Sequence, residues 1–469
     1  MSSSRTAPST TLAVAVVAAA VGTTTAIAIV SLTISISVYR RCITNNTDLD
    51  EDALTKERGY QALKESIPPK TVAEFEAMAM KKLAPLSKTY FQYFSDPSTT
   101  TDACRTFFNS LRLLPRILQG DVEQVDTTLT IFGQRLELPV LIAPSAFHVL
   151  ACPEGEIATA RGAGAAGAGY CYNFMLASKL YTDVLQESGV KWLHLYMFEE
   201  RDLVKAAVET ALSAGDDAFS AILLTCDHPH QRVQNRMIPY FMKGKFPYSS
   251  LEEPFFPNQA AVGFDTTTLQ QLLDPVYMGK MQDEGKNPGG TNSFKLDWED
   301  VRWIQEIVNG KEAISKRSNG KKIPIVAKGI LSAADARMAL AVGIDAIVVS
   351  NHGGRQCDFA VPAIEALPAV TAEVNGRIPV FVDSGVRTSG DILRALCLGA
   401  SGVMLGRPAL WSLACEGSDG LERMLTFLKE DLKDDLRSLG VTSISHLNME
   451  FLWPPDRQRI FQIIEQCRL

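Results

Sequence analysis

The segment "AIVVSNHGGRQCD", residues 346–358, joins an apolar run to a polar turn. The run is short and rich in β-branched residues, which predicts a strand buried on both faces, as in parallel sheets. It stops at Ser350, and His352 and Arg355 follow around two glycines. Polar groups at the carboxyl ends of parallel strands commonly carry function. The segment therefore predicts a buried parallel strand that delivers an imidazole and a guanidinium to one functional edge.

Seven further apolar runs have the same character, and helix-like segments separate most of them. The runs are residues 139–143, 169–172, 192–196, 221–226, 323–327, 379–382 and 402–405, and the helix-like segments include 154–166, 202–214, 333–341 and 389–398. Eight strand-helix repeats predict an α/β fold of the (β/α)8 TIM-barrel type. A doubly wound open sheet is the competing fold. It is disfavoured because no G-x-G-x-x-G follows the first run.

The N-terminal region predicts a membrane anchor. Residues 11–38 carry no charge, and as a helix they would be roughly 42 Å long, enough to cross a hydrocarbon core of ~30 Å. A cleaved presequence and a disordered start are the alternatives. Arg40 and Arg41 follow the run and only Arg5 precedes it, which predicts a cytosolic catalytic domain. The C-terminal Cys467-Arg468-Leu469 resembles a peroxisomal address and is a competing localisation signal.

The chain divides accordingly into a tail (1–10), a transmembrane helix (11–38), a linker (39–70) and a catalytic domain (71–469). Residues 71–119 read as an N-terminal helical segment, the barrel begins at about residue 138, and residues 230–296 form an excursion over the barrel mouth. The net charge of −7 argues against a nucleic-acid partner. Nine scattered cysteines without a C-x-x-C pair indicate a reduced intracellular domain and no structural zinc.

Polar residues follow six of the eight predicted strands, and they fall into two groups. Lys328, Arg387 and Arg407, with glycines nearby, have the charge to bind an anionic cofactor, and the last two strands of such barrels commonly bind phosphate. The second group comprises His352, Asp227, Arg355 and Tyr196. A carboxylate beside a histidine fixes its tautomer, which suits proton abstraction near neutral pH. Arg355 can bind a planar carboxylate through two hydrogen bonds.

At this point the chain resembles the FMN-dependent α-hydroxy-acid oxidase/dehydrogenase family, which includes glycolate oxidase, lactate oxidase and the flavin domain of flavocytochrome b2. The resemblance covers roughly residues 71–439. It rests on "SNHGGRQ" (350–356) as the most specific motif, and on "IAPSAF" (142–147), "PEGE" (153–156), "VAKGI" (326–330), "VDSGVR" (382–387) and "LGRP" (405–408), which match in order.

The resemblance implies FMN as cofactor and oxidation of an L-2-hydroxy acid to a 2-oxo acid, through either a carbanion or a hydride. It implies His352 as the base with Asp227 as its partner, and Arg355, Tyr196, Tyr90 and, at a shifted position, Arg232 as substrate contacts. The residues it implies for FMN are Ser145, His194, Thr225, Lys328, Ser350, Asp383, Ser384, Gly385, Arg387, Gly406 and Arg407. Asn173 is a further candidate for FMN binding from its position at a strand end. His228 and His230 are interpreted as loop residues.

Departures from the family pattern concentrate at the substrate wall and the flavin edge. Asn173-Phe174-Met175 replaces a Ser-Ser-Trp-like segment, His194 replaces a glutamine, and the Pro-x-x-Gly-Arg-Arg stretch reads Pro229-His-Gln-Arg232-Val. An unusual or larger hydroxy acid is therefore the expected substrate.

O2 giving H2O2 is the expected acceptor, with a quinone or protein acceptor as the alternative. The alternative functions are those of an FMN-dependent isomerase or lyase and of a flavin-binding protein without turnover. A homo-oligomer is expected from the resemblance alone.

Overall fold

The computed structural model describes residues 68–92, 99–228, 254–264, 267–272, 274, 276–277, 280–281, 284, 296–357 and 359–467. All elements given below belong to one compact unit, Pro69–Leu469. The predicted tail, the predicted span at 11–38 and nearly all of the predicted linker lie outside the described residues. Within the described ranges, no helix is both long and apolar enough to cross a bilayer.

A short antiparallel hairpin precedes a closed barrel of eight parallel strands, which confirms the predicted barrel. The hairpin strands are β1 (Leu129–Ile131) and β2 (Gln134–Leu136). The barrel strands are β3 (Val140–Ile142), β4 (Gly169–Asn173), β5 (Lys191–Tyr196), β6 (Ile222–Thr225), β7 (Ile325–Ile330), β8 (Ala346–Val349), β9 (Val380–Val382) and β10 (Gly402–Leu405). Strand β3 pairs with both β4 and β10, so the sheet has no open edge.

Helices surround the barrel at nearly the predicted positions. In chain order they are α1 (Val72–Lys82), α2 (Pro85–Phe91), α3 (Thr99–Ser110), α4 (Glu156–Ala166), α5 (Tyr181–Leu185), α6 (Arg201–Ser213), α7 (Pro257–Ala261), α8 (Leu269–Leu272), α9 (Trp298–Asn309), α10 (Lys311–Ser315), α11 (Ala333–Val342), α12 (Ala363–Val374), α13 (Ser389–Cys397), α14 (Arg407–Leu439) and α15 (Pro454–Gln466). The predicted helical segment 71–119 consists of α1 to α3, and it leaves helical geometry after Ser110.

Side chains alternate along the barrel strands between the barrel interior and the surrounding helices. Leu141 joins an interior cluster that includes Trp192, Phe381 and Met404, whereas its neighbours in β3 pack with the helices. The hairpin contributes to the same interior cluster, and the Phe132 ring lies 5.6 Å from that of Trp192. The hairpin thus closes the amino-terminal end of a filled barrel. A ligand site must therefore lie at the opposite, carboxyl end.

The carboxyl ends of three neighbouring strands have unusual backbone geometry. Strand β7 continues past its predicted end through a bulge between Lys328 and Ile330. Gly329, within the bulge, has a φ of +110°, and a Cβ placed there would lie 2.5 Å from the Asp227 Cβ. His352 and Ser384, after β8 and β9, have φ values of 58° and 69°. Such values are strained for residues other than glycine and are often found at functional sites.

Candidate active site

A cavity opens at the carboxyl ends of the barrel strands, with Ala143 and Met404 from the interior cluster on its lining. About 1020 Å³ lies between its walls, including open solvent at the mouth. The structure brings most of the predicted site residues to this one cavity: Tyr90, Ser145, Tyr196, Lys328, His352, Arg355, Asp383, Ser384, Gly385, Arg387, Gly406 and Arg407. The two predicted groups, anion-binding and proton-transferring, therefore share one space.

His352 and Asp227 form a hydrogen-bonded pair at the cavity wall. The His352 Nδ1 lies 2.9 Å from the Asp227 Oδ1. Burial alone would raise the pKa of Asp227, but the charges of His352 and Lys328 outweigh it and lower this pKa to about 2. The carboxylate is therefore ionised at neutral pH. It accepts a hydrogen bond from Nδ1, which leaves Nε2 as the ring nitrogen that can take a proton.

Arg355 faces the same cavity beside two tyrosines. Its guanidinium donates to the Tyr90 backbone oxygen at 3.0 Å and lies 5.1 Å from the centre of the Tyr90 ring. Burial raises the pKa of both Tyr90 and Tyr196, against a smaller lowering by Arg355. Both phenols therefore stay protonated as hydrogen-bond donors. A guanidinium flanked by such donors suits the binding of a planar carboxylate.

Lys328 lies below the cavity in a network of buried polar groups. Its Nζ donates to the Ser350 Oγ at 3.0 Å and lies 3.3 Å from the Asp383 Oδ2. Burial alone would lower the pKa of Lys328, but Asp383 and Asp227 raise it above the usual lysine value. The Ser350 Oγ also accepts from the His352 backbone N–H at 3.0 Å. This serine therefore links the lysine to the strained turn that carries His352.

Ser384 makes a similar link between neighbouring strand ends. Its hydroxyl donates to the Asp383 Oδ1 at 2.7 Å and accepts from the Gly353 backbone N–H at 3.0 Å. The left-handed backbone of Ser384 is thus held from two sides.

Arg387 and Arg407 place two guanidinium groups on the cavity lining. Burial lowers the pKa of Arg387 to about 10. Burial, together with the charges of Arg355 and Arg387, holds the pKa of Arg407 well below its usual value. Gly406 caps the amino-terminal end of helix α14, and a Cβ there would meet no atom within 4 Å. Two crowded cations beside an open helix N-terminus form a site for an anionic group such as phosphate.

Four predicted cofactor residues lie in the wall rather than on the cavity lining. The His194 Nε2 lies 2.7 Å from the Thr225 Oγ1, and burial, with the charges of Lys328 and His352, holds the pKa of His194 well below its usual value. The Asn173 Oδ1 accepts from the Leu176 backbone N–H, and its buried Nδ2 has no partner among the described residues. Ser350 is the fourth, beneath Lys328. Arg232 lies outside the described residues.

His228 follows β6 in a loop, as interpreted, but sequence reasoning missed that this histidine lines the cavity. It is 8% exposed and lines the cavity between Tyr196 and His352. Its ring centre lies 5.1 Å from that of Tyr196 and 5.4 Å from that of His352. The available signal was its position immediately after Asp227, at the end of a strand.

A family model described as FMN-dependent dehydrogenase matches residues 79–454. The chain belongs to this FMN-dependent dehydrogenase family. It is 35% identical to glycolate oxidase of Spinacia oleracea over 403 residues, covering 82% of this chain and 97% of that protein. L-lactate oxidase of Nostoc is 34% identical over 401 residues, covering 82% and 98%. The expected family and enzyme class, an FMN-dependent oxidoreductase, are therefore confirmed.

Solved structures of mandelate-oxidising enzymes also match the chain. A soluble mutant of the membrane-associated (S)-mandelate dehydrogenase of Pseudomonas putida matches with a TM-score of 0.67 and 28% identity, over 82% of this chain and 99% of that one. A mandelate oxidase in complex with (S)-4-hydroxymandelic acid matches with a TM-score of 0.61 and 29% identity, over 80% and 97%.

FMN is the cofactor of the FMN-dependent dehydrogenase family, and the cavity fits it. Arg387 and Arg407 are crowded cations that a phosphate would neutralise, and Lys328 offers a protonated amine beneath the cavity. The predicted cofactor, FMN, therefore agrees with the charged and polar groups around this cavity.

Proposed function

We propose that this FMN-dependent dehydrogenase oxidises an L-2-hydroxy acid to the corresponding 2-oxo acid. The observation that carries the proposal is the convergence of the His352–Asp227 pair and Arg355 on one cavity with Lys328 and the two buried arginines. The relatives support the substrate class, since their names are those of glycolate, lactate and 2-hydroxyacid oxidases.

Arg355, with the hydroxyls of Tyr90 and Tyr196, binds the substrate carboxylate in this proposal. Anchoring the carboxylate there places the adjacent CH–OH group beside His352 Nε2, which takes one proton. Asp227 stabilises the imidazolium that results. FMN, when bound, would supply the acceptor for the two electrons and the second hydrogen that leave the substrate. Lys328, beneath the cavity, contributes a fixed positive charge that would stabilise negative charge developing there.

We also propose that the natural substrate carries a larger side chain than glycolate or lactate. Phe91 and Leu176 line the cavity beside Tyr90. Behind Tyr90 lies an aromatic cluster, with Phe147 5.7 Å from Tyr90 and Phe255 5.2 Å from Phe147. The mandelate dehydrogenase and mandelate oxidase neighbours support this choice. O2 is the proposed acceptor, yielding H2O2.

Anaerobic bleaching tests the proposal. The yellow protein should lose its flavin absorbance when an L-2-hydroxy acid is added without oxygen, and the D-enantiomer should leave it unchanged. His352→Ala should stay yellow and fail to bleach, because it lacks the base. A panel of hydroxy acids completes the test, and a wide preference for glycolate would reject the larger substrate. If none of the hydroxy acids bleaches the flavin of the wild-type protein, the proposed reaction is rejected.

A further inference from the structure

His228 stands in a row of three rings along one cavity wall. Tyr196, His228 and His352 succeed one another at centre-to-centre distances of 5.1 Å and 5.4 Å. All three line the cavity, and His228 is only 8% exposed. The middle ring thus borders the space between the base and a tyrosine hydroxyl. A substrate that contacts both neighbours therefore also lies close to His228.

The position of the base limits where the reacting group lies. A general base works within hydrogen-bond distance of the proton that it takes, so the carbon that is oxidised, and its oxygen, lie close to His352 Nε2. Ring edges extend beyond ring centres, so a ring centred 5.4 Å from His352 can reach the same oxygen. Arg355, stacked on Tyr90, serves the carboxylate instead.

The chemistry of imidazole decides what such a neighbour can do. Either neutral tautomer of His228 carries one N–H donor. During the reaction the substrate oxygen changes from a hydroxyl to a carbonyl, and it is most electron-rich as its proton leaves. A donor aimed at that oxygen therefore binds the transition state more strongly than the bound alcohol. Such a donor accelerates turnover more than it tightens substrate binding.

We propose that His228 is a substrate-binding residue that donates a hydrogen bond to the oxygen on the reacting carbon and so holds that carbon against His352. The inference rests on the proposed function, because it assigns a partner to the substrate of that reaction. It adds a third contact to the substrate, distinct from the carboxylate anchor and from the base.

Two substitutions separate a hydrogen-bonding role from simple packing. His228→Phe keeps a planar ring against Tyr196 and His352 but has no donor, whereas His228→Gln keeps an N–H donor without the ring. His446, exposed at the amino-terminal end of the barrel region, gives the matched control His446→Phe. Each variant is examined for bound FMN, melting temperature, kcat and KM on the hydroxy acid that the wild type turns over best.

His228→Phe is expected to retain FMN and to lose kcat by about 10- to 100-fold, the usual effect of one such donor, with a smaller rise in KM. His228→Gln should recover most of the lost kcat, and His446→Phe should match the wild type. Calorimetry should show weaker binding of the 2-oxo acid product to His228→Phe, because its carbonyl oxygen loses a partner. That measurement does not depend on turnover.

The inference would be overturned if His228→Phe had a higher kcat than His228→Gln. If His228→Phe works as well as the wild type while His228→Gln is slow, the ring only packs. If the phenylalanine variant loses FMN or melts early, His228→Leu and His228→Asn provide the same comparison between an apolar side chain and a donor. A wild type that fails to bleach with any hydroxy acid rejects the proposed function instead, so the two failures are distinguishable.

Discussion

At the scale of single residues, Asp227 shows how neighbours fix a functional group. Its carboxylate contacts the His352 ring at 2.9 Å, and the bulge at Gly329 packs against its Cβ. The charges of His352 and Lys328 keep its pKa at about 2, although burial opposes them. Because an unfolded aspartate titrates near 3.9, the folded protein binds this proton less readily than the unfolded chain. The stabilisation is therefore present above about pH 4 and disappears as the pH falls towards 2.

Asp227→Asn should remove the part of the acid-induced loss of stability that comes from protonation of this carboxylate. The wild type should lose about 2 kcal/mol more unfolding free energy between pH 4 and pH 2 than the variant does. Chemical denaturation at several pH values measures the difference. Asp217→Asn, at an exposed position, serves as the control and should follow the wild type. A parallel pH dependence for wild type and Asp227→Asn would show that the pair contributes no such stabilisation.

Single residues also mark where sequence reasoning reached its limit. His352, Arg355 and Lys328 were predicted because each follows an apolar run that ends abruptly. His228 was missed because proline follows it and its ring neighbours come from other strands. Only the folded barrel places Tyr196 and His352 on either side of it.

At the scale of secondary-structure elements, the eight barrel strands were predictable because each is a short apolar run followed by a helix. The hairpin of β1 and β2 was not predicted, since its role in closing the barrel depends on contact with Trp192, about sixty residues later in the chain. The bulge in β7 was missed for a related reason. Its geometry follows from packing against Asp227, which lies on the preceding strand end.

The bulge predicts an unequal cost for two glycine substitutions. Gly329→Ala forces a Cβ to within 2.5 Å of Asp227 and also strains a φ of +110°. Gly376 has a φ of +71° with no atom within 4 Å of a Cβ, so Gly376→Ala carries only the backbone strain, about 1–2 kcal/mol. Gly329→Ala should cost more unfolding free energy and should lower kcat by displacing Asp227. Denaturation and turnover assays measure both, and equal losses would contradict the steric argument.

At the scale of the whole molecule, residues 69–469 form one compact unit that contains every described catalytic element. The N-terminal anchor at 11–38 and the cytosolic placement of the domain remain predictions from the sequence, as does the competing peroxisomal signal at the C-terminus. The sequence alone could indicate an apolar, uncharged segment.

Removal of residues 1–67 tests this organisation. The shortened chain should keep its FMN absorbance and its kcat within about twofold, because the cavity residues all belong to the compact unit. The full-length chain should pellet with membranes and the shortened chain should not. Removal of Arg468 and Leu469 is the control for the competing address. A full-length chain that stays entirely in the supernatant of fractionated cells would reject the anchor.

The hairpin at the amino-terminal end of the barrel limits the route by which small molecules reach and leave the cavity. Because Ile131, Leu136 and Trp192 fill that end, small molecules within the described barrel can exchange only through the opposite mouth. Under the proposed function, the hydroxy acid, the 2-oxo acid product and the oxidant would therefore all pass through the same opening of the cavity. A 2-oxo acid product bound at that mouth would then compete with the oxidant as well as with the next substrate.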